Sequence, residues 1–174
     1  MRHFKPPQQP QDGTGRVKVF FGGTIEMGAA EDWQQKLADH LATLPFADQL
    51  DVYNPRRDGW DSSWPNDYSH PEFRAQVDWE LARQKEADII VYFFADGSVS
   101  PITLFELGLF RDRNPVVGSA SGYKRFGNLI VTKDHFPFDL HVGWDDFLKA
   151  LDSRLDAEIR RVRKAPQPPA PSAP

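Results

Sequence analysis

Residues 88–108 read DIIVYFFADGSVSPITLFELG, and their pattern indicates the fold class of the chain. Ile89–Phe94 is continuously apolar, which is typical of a strand that is buried on both faces of a sheet. Ser100 and Pro101 suit the N-cap and the first turn of a helix that runs to about Arg111. A buried strand followed by a short loop and a helix predicts an α/β fold with a parallel sheet.

The rest of the chain continues this alternation of strand and helix patterns. Further strands are predicted at Arg16–Phe21, Asp51–Asn54, Val116–Ser119 and Asn128–Thr132. Further helices are predicted at Ala30–Leu44, from Pro71 onward and at Trp144–Arg163. The helix from Pro71 is expected to bury a stripe of Phe73, Val77 and Leu81. Together these segments predict a flavodoxin-like, doubly wound, five-stranded parallel sheet in a three-layer α/β/α arrangement.

Three loops are expected to form the functional edge of this sheet. In doubly wound folds, ligands bind outside the carboxyl ends of the strands, near the point where the winding reverses. The loops at that edge are Gly22–Met27, Asn54–Asp67 and Ala95–Ser100.

Length and composition predict one domain with two tails. A chain of 174 residues is long enough for one sizeable core and short for two. Residues 1–15 and 164–174 are rich in proline, glutamine and alanine, and we expect both segments to be disordered. The folded domain is therefore predicted to span residues 16–163.

Charge and cysteine content exclude several classes of function. The net charge of −4 argues against a nucleic-acid partner, and the absence of cysteine excludes disulfides and thiolate metal sites. The five histidines lack metal-ligand spacing, so neither a metal nor another cofactor is expected. No apolar run is long enough for a membrane span and no signal-peptide core is present, which favours the cytoplasm.

The glycine-rich loop after the first predicted strand is a candidate ligand site. Gly22 and Gly23 would allow the backbone to approach a ligand closely, and Thr24 follows them directly. The glycine spacing differs from that of a dinucleotide-binding fingerprint. A tight turn without a ligand explains the pattern equally well.

Glu106 is a carboxylate with unusually apolar neighbours in the sequence. It lies between Phe105 and Leu107 on a largely apolar helix, where an unpaired charge is costly. We interpret it as a functional group that faces the crevice. The alternative is an ion pair with Arg111 or Arg113 at the end of the helix.

The stretch from Tyr53 to Trp64 is unusually rich in tryptophan and arginine. Trp60 or Trp64 could stack on a nucleobase, and Asp58 or Asp61 could accept hydrogen bonds from base amino groups. Asn54 lies at the end of the predicted strand in the same loop, and Arg56 or Arg57 could meet a phosphate. The alternative is a surface loop that packs on itself through arginine–aspartate pairs and buried indoles.

Three motifs in order, FGGTIEMG, YNPRRDGWDSSW and SPITLFELG, resemble the nucleoside 2-deoxyribosyltransferase-like family, a superfamily shared with nucleoside 5′-monophosphate N-glycosidases. The resemblance covers roughly residues 17–135. It implies that Glu106 attacks the anomeric carbon, displaces the base and forms a covalent intermediate, as retaining glycosidases do.

The resemblance also implies a second acid on the preceding helix, eight positions before Asp88. That position is Glu80, and Asp78 is a nearby substitute. Such an acid would protonate the leaving base. The alternative for Glu80 is a solvated charge that pairs with Arg83 or Gln84.

Three positions depart from the pattern of the family. Ser100 replaces the aspartate that grips the base in transferases, as in the nucleotide-hydrolysing branch, and could bind a phosphate or a sugar hydroxyl. Glu26 stands where the phosphate-binding branch tends to have a basic residue. Phe20 replaces a tyrosine that hydrogen-bonds the nucleophile, so Tyr53 or Tyr92 would have to substitute for it.

The resemblance further implies a homodimer or higher homo-oligomer in which a neighbouring subunit completes the site, and Asn128 is the nearest match for that residue. The predicted function is therefore transfer or hydrolysis of the N-glycosidic bond of a nucleoside or nucleotide. A non-catalytic nucleotide-binding or sensing domain on the same fold is the main alternative, and an interaction module without a small-molecule ligand is the third.

Overall fold

A six-stranded parallel sheet with helices on both faces forms the protein. The computed structural model describes residues 1–11, 15–25, 32–61 and 63–164. The strands are β1 Arg2–Phe4, β2 Val17–Gly23, β3 Leu50–Tyr53, β4 Ile89–Phe94, β5 Val116–Ser119 and β6 Asp139–Val142, and the helices are α1 Trp33–Ala42, α2 Pro71–Glu86, α3 Pro101–Phe110, α4 Phe126–His135 and α5 Trp144–Lys164.

The strand order places the candidate loops at one edge. The order is β1-β3-β2-β4-β5-β6, with every neighbouring pair parallel. Apart from β1, this is the flavodoxin-like winding, which reverses between β2 and β4. The predicted three-layer α/β/α fold is confirmed, and the loops after β2, β3 and β4 meet at the reversal.

Two apolar clusters separate the layers. On one face, Trp33 and Leu37 of α1 and Phe147, Leu151 and Leu155 of α5 pack against the sheet. The other face carries Trp79 of α2, Leu107 and Phe110 of α3, and Leu129 of α4. The described helices include none that is both long and apolar enough to cross a membrane.

The predicted strand Asn128–Thr132 is wrong, because these residues belong to α4. Its apolar residues NLIVT suggested a strand, yet in the structure Leu129 is buried while Val131 is 59% exposed. One buried position in the run fits a surface helix better than a strand of a covered sheet. The fifth strand of the flavodoxin-like winding is instead β6, which pairs with β5.

Residues 1–15 were expected to be disordered, and this expectation is wrong for Arg2–Phe4, which form β1. This additional strand makes the sheet six-stranded rather than five-stranded. Arg2–Phe4 pairs with Asp51–Tyr53 at the sheet edge. The Arg2 and Arg16 side chains donate to the buried Asp51 carboxylate, at 2.7 and 2.6 Å from Nε to Oδ1. These long-range ion pairs hold a strand that is too short to show periodicity. Residues 165–174 of the predicted C-terminal tail lie outside the described residues.

Candidate active site

Helix α3 turns Glu106 toward the sheet. Its buried residues are Thr103, Glu106, Leu107 and Phe110, and its exposed apolar residues are Ile102, Phe105 and Leu109. Glu106 is 8% exposed. The predicted inward orientation of this carboxylate is therefore observed.

The alternative ion pair of Glu106 with Arg111 or Arg113 is not observed among the described residues, because both arginines have other partners. Arg111 pairs with its neighbour Asp112, at 3.3 Å from Nε to Oδ1. Arg113 donates to the backbone carbonyls of Lys85 and Ala87. Glu106 thus lies in an apolar setting and is held by hydrogen bonding to a neutral group.

That neutral group is Gln84 on α2. Its Nε2 donates to Glu106 Oε1 at 2.8 Å, and the Tyr92 hydroxyl donates to Gln84 Oε1 at 2.5 Å. Burial raises the pKa of Glu106, and the hydrogen bond from Gln84 opposes this by favouring the charged form. The three side chains form a continuous buried chain from β4 through α2 to α3.

Helix α2 presents a polar face to the interior. Its buried residues are Gln76, Trp79 and Gln84, whereas the predicted stripe of Phe73, Val77 and Leu81 is only partly buried, so that prediction is wrong. Gln76, Glu80 and Gln84 are spaced by four residues and share one face. The apolar periodicity of this helix was misleading because two of its three buried residues are polar.

Glu80 is the second carboxyl of the cluster. Gln76 Nε2 donates to its Oε1 at 2.7 Å. Burial raises the pKa of Glu80 to about 8, while the Gln76 hydrogen bond lowers it and the nearby Glu106 charge raises it further. Glu80 is therefore largely protonated at neutral pH.

The alternatives for Glu80 and its substitute are resolved by their neighbours. Arg83 pairs with Glu86 at 2.8 Å, and Gln84 donates to Glu106 rather than to Glu80. Asp78 is exposed and pairs with Arg74 on the solvent side of α2. Of the two acids, the structure brings Glu80 to the cluster.

Three buried hydroxyl groups meet where β2 and β4 end. Thr24 Oγ1 lies 2.6 Å from Ser100 Oγ and 3.1 Å from Ser98 Oγ, and the Ala95 N–H donates to it. Ser100 precedes α3 as predicted, but its hydroxyl makes no capping bond, and its φ of 43° is left-handed. This left-handed backbone is strained for a residue that has a side chain.

The two glycines of the first loop are required by close packing. A Cβ on Gly22 would overlap the Tyr92 ring, and one on Gly23, whose φ is 151°, would overlap the Phe93 carbonyl and the Trp33 ring. The structure thus supports a steric reason for both glycines. Glu26, like the other residues from 26 to 31, lies outside the described residues.

The loop after β3 approaches α2 at its first residues. Asn54 is buried, and its Oδ1 accepts a hydrogen bond from the Arg56 N–H. The Pro55 carbonyl accepts from Gln76 Nε2, which also donates to Glu80. Arg56 pairs with Asp32 at the start of α1, at 3.2 Å. This end of the loop is therefore connected to the carboxyl cluster.

The later part of the loop packs on itself. Trp60 and Trp64 contact edge to face at 5.2 Å between centroids, and the Arg57 guanidinium stacks on Trp64. Asp58 is exposed and pairs with Lys5 near β1. These contacts are those of the self-packed alternative, and a role for Trp60 or Asp58 in substrate binding stays a prediction.

Asn128 is exposed on α4, and Phe20 is buried in the apolar cluster beneath α2. Sequence reasoning missed Gln76 and Ser98 and did not assign Gln84 as the partner of Glu106. The four-residue spacing of Gln76, Glu80 and Gln84 was a usable signal.

Comparison with solved structures gives a protein described as a conserved protein from Enterococcus faecalis V583, at a TM-score of 0.45 and 14% sequence identity, with the match covering 84% of this chain and 98% of that chain. Comparison with curated proteins gives no match. The sequence model of the family described as nucleoside 2-deoxyribosyltransferase like matches residues 16–123, which is more than half of the chain. The chain therefore belongs to the nucleoside 2-deoxyribosyltransferase-like family, as its motifs indicated.

Proposed function

We propose that the protein breaks the N-glycosidic bond of a nucleoside or nucleotide and passes the sugar to water or to a second base. The observation that carries this proposal is the buried pair of Glu106 and Glu80, in which each carboxyl has its own glutamine donor. Two carboxyls in different environments are the means by which glycosidases separate a nucleophile from an acid. Membership of the family supports glycosyl transfer as the class of reaction.

Glu106 is the proposed nucleophile. An oxygen of its ionised carboxylate bonds to the anomeric carbon while the bond from that carbon to the base nitrogen breaks, and the bonding pair leaves with the base. The protonated carboxyl of Glu80 gives its proton to the leaving base. Water or a second base then attacks the anomeric carbon and displaces Glu106, and Glu80 recovers a proton from the incoming group.

The hydroxyl cluster and the first residues of the β3 loop are the proposed substrate contacts. Ser100 and Thr24 lie before the N-terminus of α3, where partial positive charge favours phosphate or sugar oxygens. Arg56 is the arginine of the neighbouring loop that Asp32 holds near α1. Substrate binding remains a prediction for Gly22, Gly23, Asn54, Asp58 and Trp60. The cytoplasmic location also remains a prediction.

A substrate panel with a Glu106→Gln variant tests the proposal. Deoxynucleosides, ribonucleosides and their 5′-monophosphates are incubated with and without an acceptor base, and released base is quantified. Glu106→Gln should lower kcat by about 10³-fold or more, and acid-quenched wild type should carry a sugar adduct on the peptide containing Glu106. The matched control, Glu72→Gln on the exposed start of α2, should retain wild-type activity.

Two results would contradict the proposed chemistry. Full activity of Glu106→Gln would exclude the nucleophile assignment. A rise in melting temperature with a nucleotide, without turnover of any member of the panel, would favour the non-catalytic binding domain instead.

We also infer a homo-oligomer, as the family resemblance implies. The supporting observation is the outer face of α3, where Ile102, Phe105 and Leu109 are 54–64% exposed on the helix that carries Glu106. Contiguous apolar surface of this kind is typical of protein interfaces. Light scattering should show a dimer or larger species that Phe105→Glu dissociates, and a monomeric wild type would contradict the inference.

A further inference from the structure

We propose that Gln84 is a positioning residue that holds Glu106 ionised and aimed at the substrate, and that Tyr92 fixes the orientation of the Gln84 amide. This inference rests on the proposed function of Glu106. Both bonds of the chain are direct, at 2.8 Å from Gln84 to Glu106 and 2.5 Å from Tyr92 to Gln84. Gln84 and Tyr92 are both fully buried, so water does not compete for these groups.

The hydroxyl of Tyr92 decides which end of the amide meets the nucleophile. An amide carries two donors on one side and an acceptor on the other, and the two ends have nearly the same shape. Donation from Tyr92 to Oε1 leaves Nε2 facing Glu106. The reversed amide would place its oxygen against a carboxylate oxygen, which is repulsive, and the donation from Tyr92 to Oε1 further stabilises the observed orientation.

The residues at positions 20 and 22 of β2 are consistent with a hydroxyl donor on β4, the Tyr92 side chain. Phe20 stands on β2 where the resemblance implies a tyrosine, and a phenyl ring has no donor. Tyr92 lies beside Gly22 in the register of β2 and β4, and a Cβ on Gly22 would overlap its ring. Tyr92 therefore reaches Glu106 through Gln84 rather than directly.

The electrostatic consequence concerns the ionised form of Glu106. Burial raises its pKa, and the Gln84 N–H is the group that opposes this. Among the residues that the structure describes, the ionisable groups that interact with Glu106 across the cluster are Glu80 of α2 and Tyr92 of β4, and neither is a cation. Without the Gln84 donor, Glu106 would ionise only at higher pH.

The test compares Gln84→Met, which keeps the length of the side chain without the amide, with Tyr92→Phe. The acidic limb of the kcat/KM profile reports ionisation of the nucleophile and should move upward by about 1 pH unit in Gln84→Met. Tyr92→Phe should shift it in the same direction by less, because the amide can still donate when it is correctly oriented. The double variant should match Gln84→Met. The hydroxyl of Tyr53, the other candidate partner of the nucleophile, is hydrogen-bonded with Glu86 instead, so Tyr53→Phe is the matched control and should leave the limb unchanged.

A second measurement makes the result independent of turnover. Side-chain ¹³C NMR of labelled glutamate follows the Glu106 titration, with the signal assigned by its loss in Glu106→Gln. Unchanged Glu106 titration in a folded Gln84→Met, or in Tyr92→Phe if Gln84→Met does not fold, would overturn the inference. If Glu106→Gln instead retains activity, the proposed function fails, while the NMR shift still decides the role of Gln84.

Discussion

Helices α2 and α5 both pack on the sheet, yet they bury opposite kinds of side chain. The inward residues of α5 are Phe147, Leu151, Leu155 and Ile159, a regular apolar stripe. The inward face of α2 carries Gln76, Glu80 and Gln84, with Trp79 as its buried aromatic. Burial of apolar surface explains α5, whereas α2 buries polar groups, and the free-energy cost of that burial is offset only by hydrogen bonds.

Under the proposed function, this difference assigns stability mainly to α5 and turnover mainly to α2. Changes on the inner face of α5 should act on the free energy of unfolding, and changes on the inner face of α2 should act on turnover.

The largest effect is expected for Glu80→Gln on α2. Glutamine keeps the shape but cannot donate the proton to the leaving base, so kcat should fall about 10²- to 10⁴-fold while the fold is retained. Asp78→Asn, two residues earlier and exposed, is the matched control and should stay within about twofold of wild type. Steady-state kinetics on the best substrate of the panel measures both. A Glu80→Gln enzyme with wild-type kcat would place the acid elsewhere.

The corresponding change on α5 is Leu151→Ala. Leu151 is fully buried between α5 and the sheet, so its truncation should lower the free energy of unfolding by about 2–5 kcal/mol. Urea denaturation measures the loss, and kcat per folded molecule should not change. Lys149→Ala, on the exposed face of α5, is the control for stability. A fall in kcat without loss of stability would contradict the division between the two helices.

The same comparison shows what could be predicted from the sequence. Helix α5 was predicted correctly because its buried residues are all apolar and regularly spaced. Strand β4 and helix α3 were predicted from a continuous apolar run and a serine–proline start. The predicted apolar stripe of α2 was wrong because the buried residues of this helix form hydrogen bonds to other elements.

Contacts between distant residues limit what local patterns can reveal about the site. The orientation of Glu106 was predictable from its apolar neighbours in the chain. Its bond to Gln84 spans 22 residues and requires the packing of α2 against α3. Strand β1 was missed for a related reason, since its pairing with β3 and the Arg2–Asp51 ion pair depend on tertiary structure.

Glu80→Gln should also stabilise the protein as the pH rises. The pKa of Glu80 is raised from 4.5 to about 8 in the folded state, so the folded protein holds this proton more tightly than the unfolded chain does. The contribution of Glu80 to stability is therefore complete below about pH 4.5 and is lost as the pH rises to about 8. Glutamine does not titrate, so the advantage of the variant should grow across this window to about 2 kcal/mol, allowing for partial exposure of Glu80. Urea melts at several pH values measure it, and parallel curves would contradict the raised pKa.

The smallest effect is expected for Arg160→Ala on the solvent face of α5. Arg160 pairs with Asp156 one helical turn earlier, at 2.6 Å, and its side chain is 70% exposed. Such pairs contribute about 0.3–0.5 kcal/mol and are screened by salt, so the loss should be at most that and should vanish at high ionic strength. Charge on α5 is thus dispensable because water already solvates it, whereas the Glu80 carboxyl on α2 is largely shielded from water and accepts a hydrogen bond from Gln76. Urea melts at low and high salt compare the two cases, and a loss above 1 kcal/mol for Arg160→Ala would show that the outer face of α5 also has a partner.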